Sequence, residues 1–164
     1  MPVIQYCTPE WLEESAQGYR ADPKLQEAMA RLATRVCFLI RAEPEWGIEA
    51  DIIFGAFMEK GELQQLSFFN DGEARQEADF ILAAAPQEWK RILRKESKFA
   101  ADFMLGKITL EQGTRVGVLG LGPYANAFVA TLTQTELQFP DEMTPDELEK
   151  YRAYQKDFRA ELGV

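Results

Sequence analysis

The sequence predicts an α+β fold: a mostly antiparallel sheet of about five strands, covered by helices on one face. Three observations predict it. Hydrophobic residues alternate with period two in several runs between Thr34 and Glu111. The connections between these runs are mostly short and carry turn residues such as Lys60-Gly61, which favours antiparallel neighbours. Helix starts with proline in the first turn recur at Thr8-Pro9, Asp22-Pro23, Pro86 and Thr144-Pro145.

The chain has 164 residues, enough for a single domain spanning 1–164 with a sizeable core. Hydrophobic residues make up 46% and charged residues 27%, ordinary for a globular protein. The net charge of −9 argues against nucleic acid and anionic membrane surfaces as partners, since both reward Lys and Arg. No apolar run approaches the ~20 residues of a membrane span, so no stable membrane insertion is expected. Met1–Cys7 lacks the basic start of a signal peptide. Cys7 and Cys37 lie in separate segments without a C-x-x-C pair, and are expected to be free, buried thiols in a reducing compartment. The eleven phenylalanines suit either a filled core or the lining of an apolar cavity.

Residues 1–33 are expected to form N-terminal helices. Thr8 caps the first; Leu25, Met29 and Leu32 mark one face of the second. Thr34–Ala42 is the first strand, with Val36, Phe38 and Ile40 on one face. Glu43-Pro44-Glu45-Trp46-Gly47 breaks it. Ile48–Glu59 is a longer strand, and Glu62–Phe69 returns as its hairpin partner. Asn70-Asp71-Gly72 is expected as a loop before a strand over Gln76–Ala84. Pro86 opens a helix carrying Trp89, Ile92 and Leu93. Ser97 is expected to cap the next, with Phe99, Phe103 and Met104 on one side and Gly106 as its stop. Lys107–Glu111 alternates again as a last strand. Thr114 caps a helix weakened by Gly117, Gly120 and Gly122, and Pro123 starts another over Tyr124–Thr133. Glu136–Met143 is expected as an acidic linker. Thr144 and Glu147 form a capping box for an amphipathic helix at 141–162, whose apolar face is Leu148, Tyr151, Tyr154, Phe158 and Leu162.

Little points to catalysis. Gly120-Leu121-Gly122-Pro123-Tyr124-Ala125 matches a loose dinucleotide fingerprint, but no βαβ pattern surrounds it, Glu136 comes too early for the ribose-binding acid, and Pro123 removes an N–H donor from the phosphate-contacting turn. There is no histidine and no G-x-S-x-G elbow. Asp51 and Asp79 are lone acids on apolar strands, expected on the wetter face or at strand ends. The expectation is a protein that is not an enzyme, with no cofactor and no metal.

The stretch 78–112 carries a resemblance. Ala78-Asp79-Phe80, the helix around Trp89, and Phe103-Met104-Leu105-Gly106-Lys107-Ile108-Thr109-Leu110-Glu111-Gln112-Gly113 resemble the sterol carrier protein type-two family, and the likeness extends over 34–134. It implies helices over an antiparallel sheet, and between them an apolar cavity that accepts fatty acyl chains, sterols or other lipids without catalysis. Strand parity locates that cavity. Phe38, Ile40, Ile52, Phe54, Leu66, Phe68, Phe80, Leu82, Ile108 and Leu110 share the face that avoids Asp51, Asp79, Lys107 and Glu111. With Phe103, Leu121 and Phe128 from the helical segments, they are the candidate ligand-binding residues. The chain departs from the family in its longer N-terminal helices and its extra segment at 141–162. It ends Leu162-Gly163-Val164, without a peroxisomal tripeptide. That points to a cytoplasmic, bacterial protein and away from sterol itself as the ligand. The other expectation consistent with the sequence is an interaction module with a filled core, which docks or dimerises through its last helix.

Overall fold

The computed structural model describes residues 3–164, so Met1 and Pro2 of the Met1–Cys7 segment lie outside the described residues. The elements run β1 (Val3–Gln5), α1 (Pro9–Arg20), α2 (Pro23–Ala28), β2 (Ala33–Ile40), β3 (Ile52–Glu59), β4 (Glu62–Phe69), α3 (Asp71–Glu77), β5 (Phe80–Ala84), α4 (Pro86–Leu93), α5 (Phe99–Met104), β6 (Thr109–Gln112), α6 (Arg115–Leu119), α7 (Ala125–Leu132), β7 (Glu136–Gln138) and α8 (Pro145–Leu162). The main sheet has five strands in the order β4-β3-β2-β5-β6. Every neighbouring pair is antiparallel except β2 with β5. The α+β class and the mostly antiparallel sheet are as the alternation predicts.

Parity sets which side is buried. Phe38 lies between Phe54 and Leu82, Phe54 faces Phe68, and Leu82 faces Leu110. This row belongs to the main core beneath α1 and α4–α8, with Phe80 and Leu110 packed at its margin. The opposite face is drier than predicted. Cys37, Leu39, Ile53, Phe57, Phe69, Ile81 and Ala83 are buried there around Ala74 of α3.

That helix is where the reading of Asn70–Gly72 as a loop is corrected. Asn70 and Glu73 exchange side-chain and backbone bonds as a capping box, at 2.8 and 3.0 Å, so residues 71–77 are helical and the strand begins at Phe80, not Gln76. Asp79 and Asp51 sit at strand ends. Each accepts a backbone N–H, from Arg35 at 3.0 Å and from Ala42 at 2.7 Å. β3 accordingly begins at Ile52 rather than Ile48. Ser97 is not a cap; Lys98 holds the cap position of α5 and makes no side-chain cap bond. Ile108 precedes β6 rather than lying on it, though it is fully buried.

The expected linker at 136–143 contains a strand. β7 pairs in parallel with β1, Ile4 opposite Leu137. Leu137 and Phe139 are buried. α8 then packs on its own chain. The Tyr151 hydroxyl donates to the Tyr6 carbonyl at 2.5 Å, Gln155 Nε2 to the Cys7 carbonyl at 2.7 Å, and Arg159 to the carbonyls of Ala50 and Asp51 at 2.7 and 2.6 Å. Phe158 lies 5.4 Å from Phe68 between ring centres. Leu162, predicted on this face, is exposed. No described helix is long and apolar enough to cross a membrane.

Candidate functional site

Helix starts and strand parity together leave a hollow of about 60 Å³ between sheet and helices. Its floor is Val36 and Phe38 of β2, Phe54 of β3 and Leu82 of β5. Its walls are Trp89, Ile92 and Leu93 of α4, Phe99 of α5, Leu121, and Ala125, Phe128, Val129 and Leu132 of α7. Tyr6 and Trp11 close one end. Phe38 is the hub: its ring centre is 5.1 Å from Phe54, 5.6 Å from Trp89 and 6.2 Å from Phe128. Phe38, Phe99, Ala125, Phe128 and Val129 are the half-exposed members of the lining, so the open side faces α5 and α7.

Five predicted residues meet here: Phe38, Phe54, Leu82, Leu121 and Phe128. The other eight lie elsewhere. Ile40 and Ile52 are fully buried in the core. Leu66 borders a void of about 10 Å³ that it shares with Phe128 and Leu132. Phe68 is covered by Phe158. Phe80 packs against the backbone at Gly113 and Gly117, where an added Cβ would come within 2.5 and 2.6 Å of its ring. Phe103 stacks 6.3 Å from Phe99 and under Arg115 at 4.9 Å. Ile108 and Leu110 lie at the β6 edge.

Tyr6 and Trp11 were not predicted as site residues. They come from the N-terminal segment outside the resemblance. The signal for Trp11 is its place on the buried face of α1 with Leu12, Ser15 and Tyr19. Tyr6 follows a strand of three residues, too short for alternation to register.

The wall is almost free of polar chemistry. The Trp11 indole N–H donates to the Leu132 carbonyl at 2.8 Å, and that of Trp89 to the Leu39 carbonyl at 3.1 Å. The Tyr6 hydroxyl is buried without a partner among the described residues. Burial pushes Tyr6 well above the usual tyrosine value, with Cys7 and Tyr151 adding to it. Burial also raises the Cys7 and Cys37 thiols to about 12, which makes poor nucleophiles of these free cysteines. Just outside the wall, burial and the neighbouring Asp102 carboxyl push Glu88 up. Burial would raise Asp102 too, but the nearby Glu88 and Ser97 side chains, with the Lys107 charge, hold it lower. No group of three His, Cys, Asp or Glu side chains is placed for a metal among the described residues.

The hollow is small. A water-sized sphere needs about 10–15 Å³, and a cavity of about 150 Å³ holds benzene. A long apolar ligand therefore requires the walls to part. The open side is built from short pieces that suit such a movement: α5, α6, the single turn Gly122–Tyr124, and α7. Gly106 and Gly122 face open space.

No family model matches the chain. No curated protein matches it in sequence. In structure it is similar to a crystal structure of sterol carrier protein 2, with 21% identity and a TM-score of 0.64 over 78% of this chain and 95% of the other. It is also similar to the solution structure of a conserved hypothetical protein from Thermus thermophilus described as possibly a sterol carrier protein, with 18% identity and a TM-score of 0.69 over 84% and 94% of the two chains. The chain thus has the sterol carrier protein 2 fold.

Proposed function

We propose that this protein binds or transfers a lipid-like apolar molecule, without catalysis, in the space between its sheet and α4–α7. The observation that carries the reading is the hollow itself. It is lined on every side by aliphatic and aromatic side chains, in a fold shared with sterol carrier protein 2. Its lining contains no Lys, Arg, Asp or Glu to hold a charged head group. Burial of methylenes would therefore supply the affinity, at about 0.8 kcal/mol each. The ligand class is a fatty acyl chain or a molecule of similar apolarity. The candidate residues in contact are Phe38, Phe54, Leu82, Leu121 and Phe128, joined by Trp89, Phe99 and Ala125. Ile40, Ile52, Leu66, Phe68, Phe80, Phe103, Ile108 and Leu110 support these from behind or from the sheet margin.

Docking through the last helix has less to recommend it. Tyr151 and Phe158 are already buried against the same chain. Native mass spectrometry of the purified protein, followed by organic extraction, tests the carrier reading. A co-purifying lipid supports it. An empty protein that takes up no acyl chain on titration counts against it.

A further inference from the structure

The exposed apolar surface of this chain is concentrated on α5 and α6. Met104 is 61% exposed, Leu105 70%, Val116 82% and Leu119 45%. Val116 and Leu119 are three residues apart on α6, so they share a side of that helix. Arg115 ties α6 to α5: its guanidinium lies 4.0 Å from the Met104 sulfur and 4.9 Å from the centre of the Phe103 ring. The patch adjoins the open side of the hollow, because Phe103 stacks on Phe99 of the wall, and Leu121, two residues past α6, is itself wall. Positive charge is concentrated there as well. The whole-chain charge of −9 argues against an anionic surface, but it is unevenly spread. Residues 90–119 hold seven of the 18 Lys and Arg and three of the 27 Asp and Glu, a net +4. Lys90, Arg91 and Arg94 are paired with acids. Lys95, Lys98, Lys107 and Arg115 are exposed and make no ion pair among the described residues. Of the three acids, Asp102 is buried and Glu111 is bridged to Arg41, which leaves Glu96.

We propose that this face of α5 and α6 docks the protein on an anionic lipid bilayer, with the open side of the hollow turned to the lipid. This deepens the carrier reading and rests on it: it names the surface from which the apolar ligand is taken and to which it returns. The exposed apolar side chains enter the boundary between head groups and acyl chains, while the long Lys and Arg stems keep their charges among the head groups. The contact is surface attachment, since no described helix can span the bilayer. The rest of the chain sums to −13 and is repelled by the same lipid, so the field turns this face toward it. A second copy fits less well. A twofold axis through the patch would set its Lys and Arg against the same cations of the partner. A bilayer also spares the ligand water, because a molecule leaving by the open side passes from apolar side chains directly to acyl chains.

The test is sedimentation of the full chain with vesicles of phosphatidylcholine alone or mixed with phosphatidylglycerol, beside uptake of an anthroyloxy-labelled stearate in solution without vesicles. Wild type is expected to bind the mixed vesicles and not the neutral ones, and to be released as salt rises to about 0.5 M and screens the exposed charges. The triple variant Lys95→Gln, Lys98→Gln, Lys107→Gln is expected to bind the mixed vesicles roughly tenfold more weakly or worse. The double variant Leu105→Gln, Val116→Gln is expected to weaken binding by roughly tenfold. All five side chains are exposed and outside the hollow, so both variants are expected to melt with wild type and to take up the stearate unchanged. If one variant melts lower, the other variant and the salt titration of wild type decide. Wild type that ignores the mixed vesicles, binding indifferent to salt, or variants that bind as wild type overturn the docking face, and the carrier reading stands as long as the stearate is taken up. Wild type that takes up no stearate overturns the carrier reading and this inference with it. Size-exclusion chromatography checks the rival occupant. A dimer abolished by Leu105→Gln, Val116→Gln assigns the face to a second copy and overturns the inference.

Discussion

Ala125 offers the sharpest test of whether the space between sheet and helices is a binding site. It is the first residue of α7, in helical backbone with φ −58° and ψ −42°, so a larger side chain meets no conformational obstacle there. It lines the hollow and is half-exposed. Ala125→Leu adds three carbons where a methyl stood and takes up most of the 60 Å³. At about 15 Å³ per water-sized group, that space has room for about four. Removing contacts to three methylenes weakens binding by about 2.4 kcal/mol, or roughly sixtyfold in Kd. The assay is displacement of a fluorescent lipid by saturated acyl chains of increasing length, on wild type and variant. In wild type each added methylene tightens binding by at most about fourfold, until the space is full. The variant should bind every chain weakly and melt at or near the wild-type temperature. If instead the space is already packed, overfilling it costs roughly 1–3 kcal/mol and the variant melts lower. A lower melting temperature, a flat response to chain length, or unchanged affinity in Ala125→Leu would each refute the reasoning.

Other outcomes follow from the packing. Gly117→Ala brings a Cβ to 2.6 Å from the Phe80 ring, so stability should fall by roughly 1–3 kcal/mol in urea denaturation; an unchanged midpoint would show that Phe80 moves aside freely. Thr144→Ala removes the side chain that accepts from the Glu147 N–H at 3.2 Å, and should cost about 1 kcal/mol in the same assay. Glu88 has its folded pKa raised above 4.5, so its contribution to stability is present below that value and lost as pH rises through the folded pKa. Wild type should therefore lose more melting temperature than Glu88→Gln as pH rises from 4.5 toward neutrality; parallel curves would remove Glu88 as the cause. Deleting 141–164 strips the donors from the carbonyls of Tyr6, Cys7, Ala50 and Asp51 and uncovers Phe68, so the truncated chain should melt lower and aggregate. A truncated monomer as stable as the full chain would say that α8 is dispensable.

The sheet was legible because its long strands alternate cleanly. Phe38, Phe54 and Leu82 fell on one face in the sequence and form one row in the fold. Parity, however, identifies a face and not a hole in it. Ile40 and Ile52 have the same parity as Phe38 but lie deep in the core, and nothing in alternation separates the two cases. The two ends of the chain were harder. β1 and β7 are three residues each and find one another across more than a hundred residues, where no local signal operates. The helix at Asp71–Glu77 was hidden by Asn70-Asp71-Gly72, a turn-like triplet whose asparagine in fact caps a helix. The floor of the candidate site was thus readable, and the end closed by Tyr6 was not.

The bonds that close that end join residues far apart in the sequence. Trp11 reaches the Leu132 carbonyl across 121 positions, Tyr151 reaches Tyr6 across 145, and Gln155 reaches Cys7 across 148. Contacts of such separation form late in folding and slow it. During synthesis the sheet and α1 can be complete while Leu132, Tyr151 and Gln155 are still unmade. The growing chain therefore passes through a stage in which the row of Phe38, Phe54 and Leu82 is an open trough rather than an enclosed hollow. Leu132, Tyr151 and Gln155, which hold that end shut, follow the sheet in the chain, which makes the interval before they emerge the time when this chain is most exposed to aggregation.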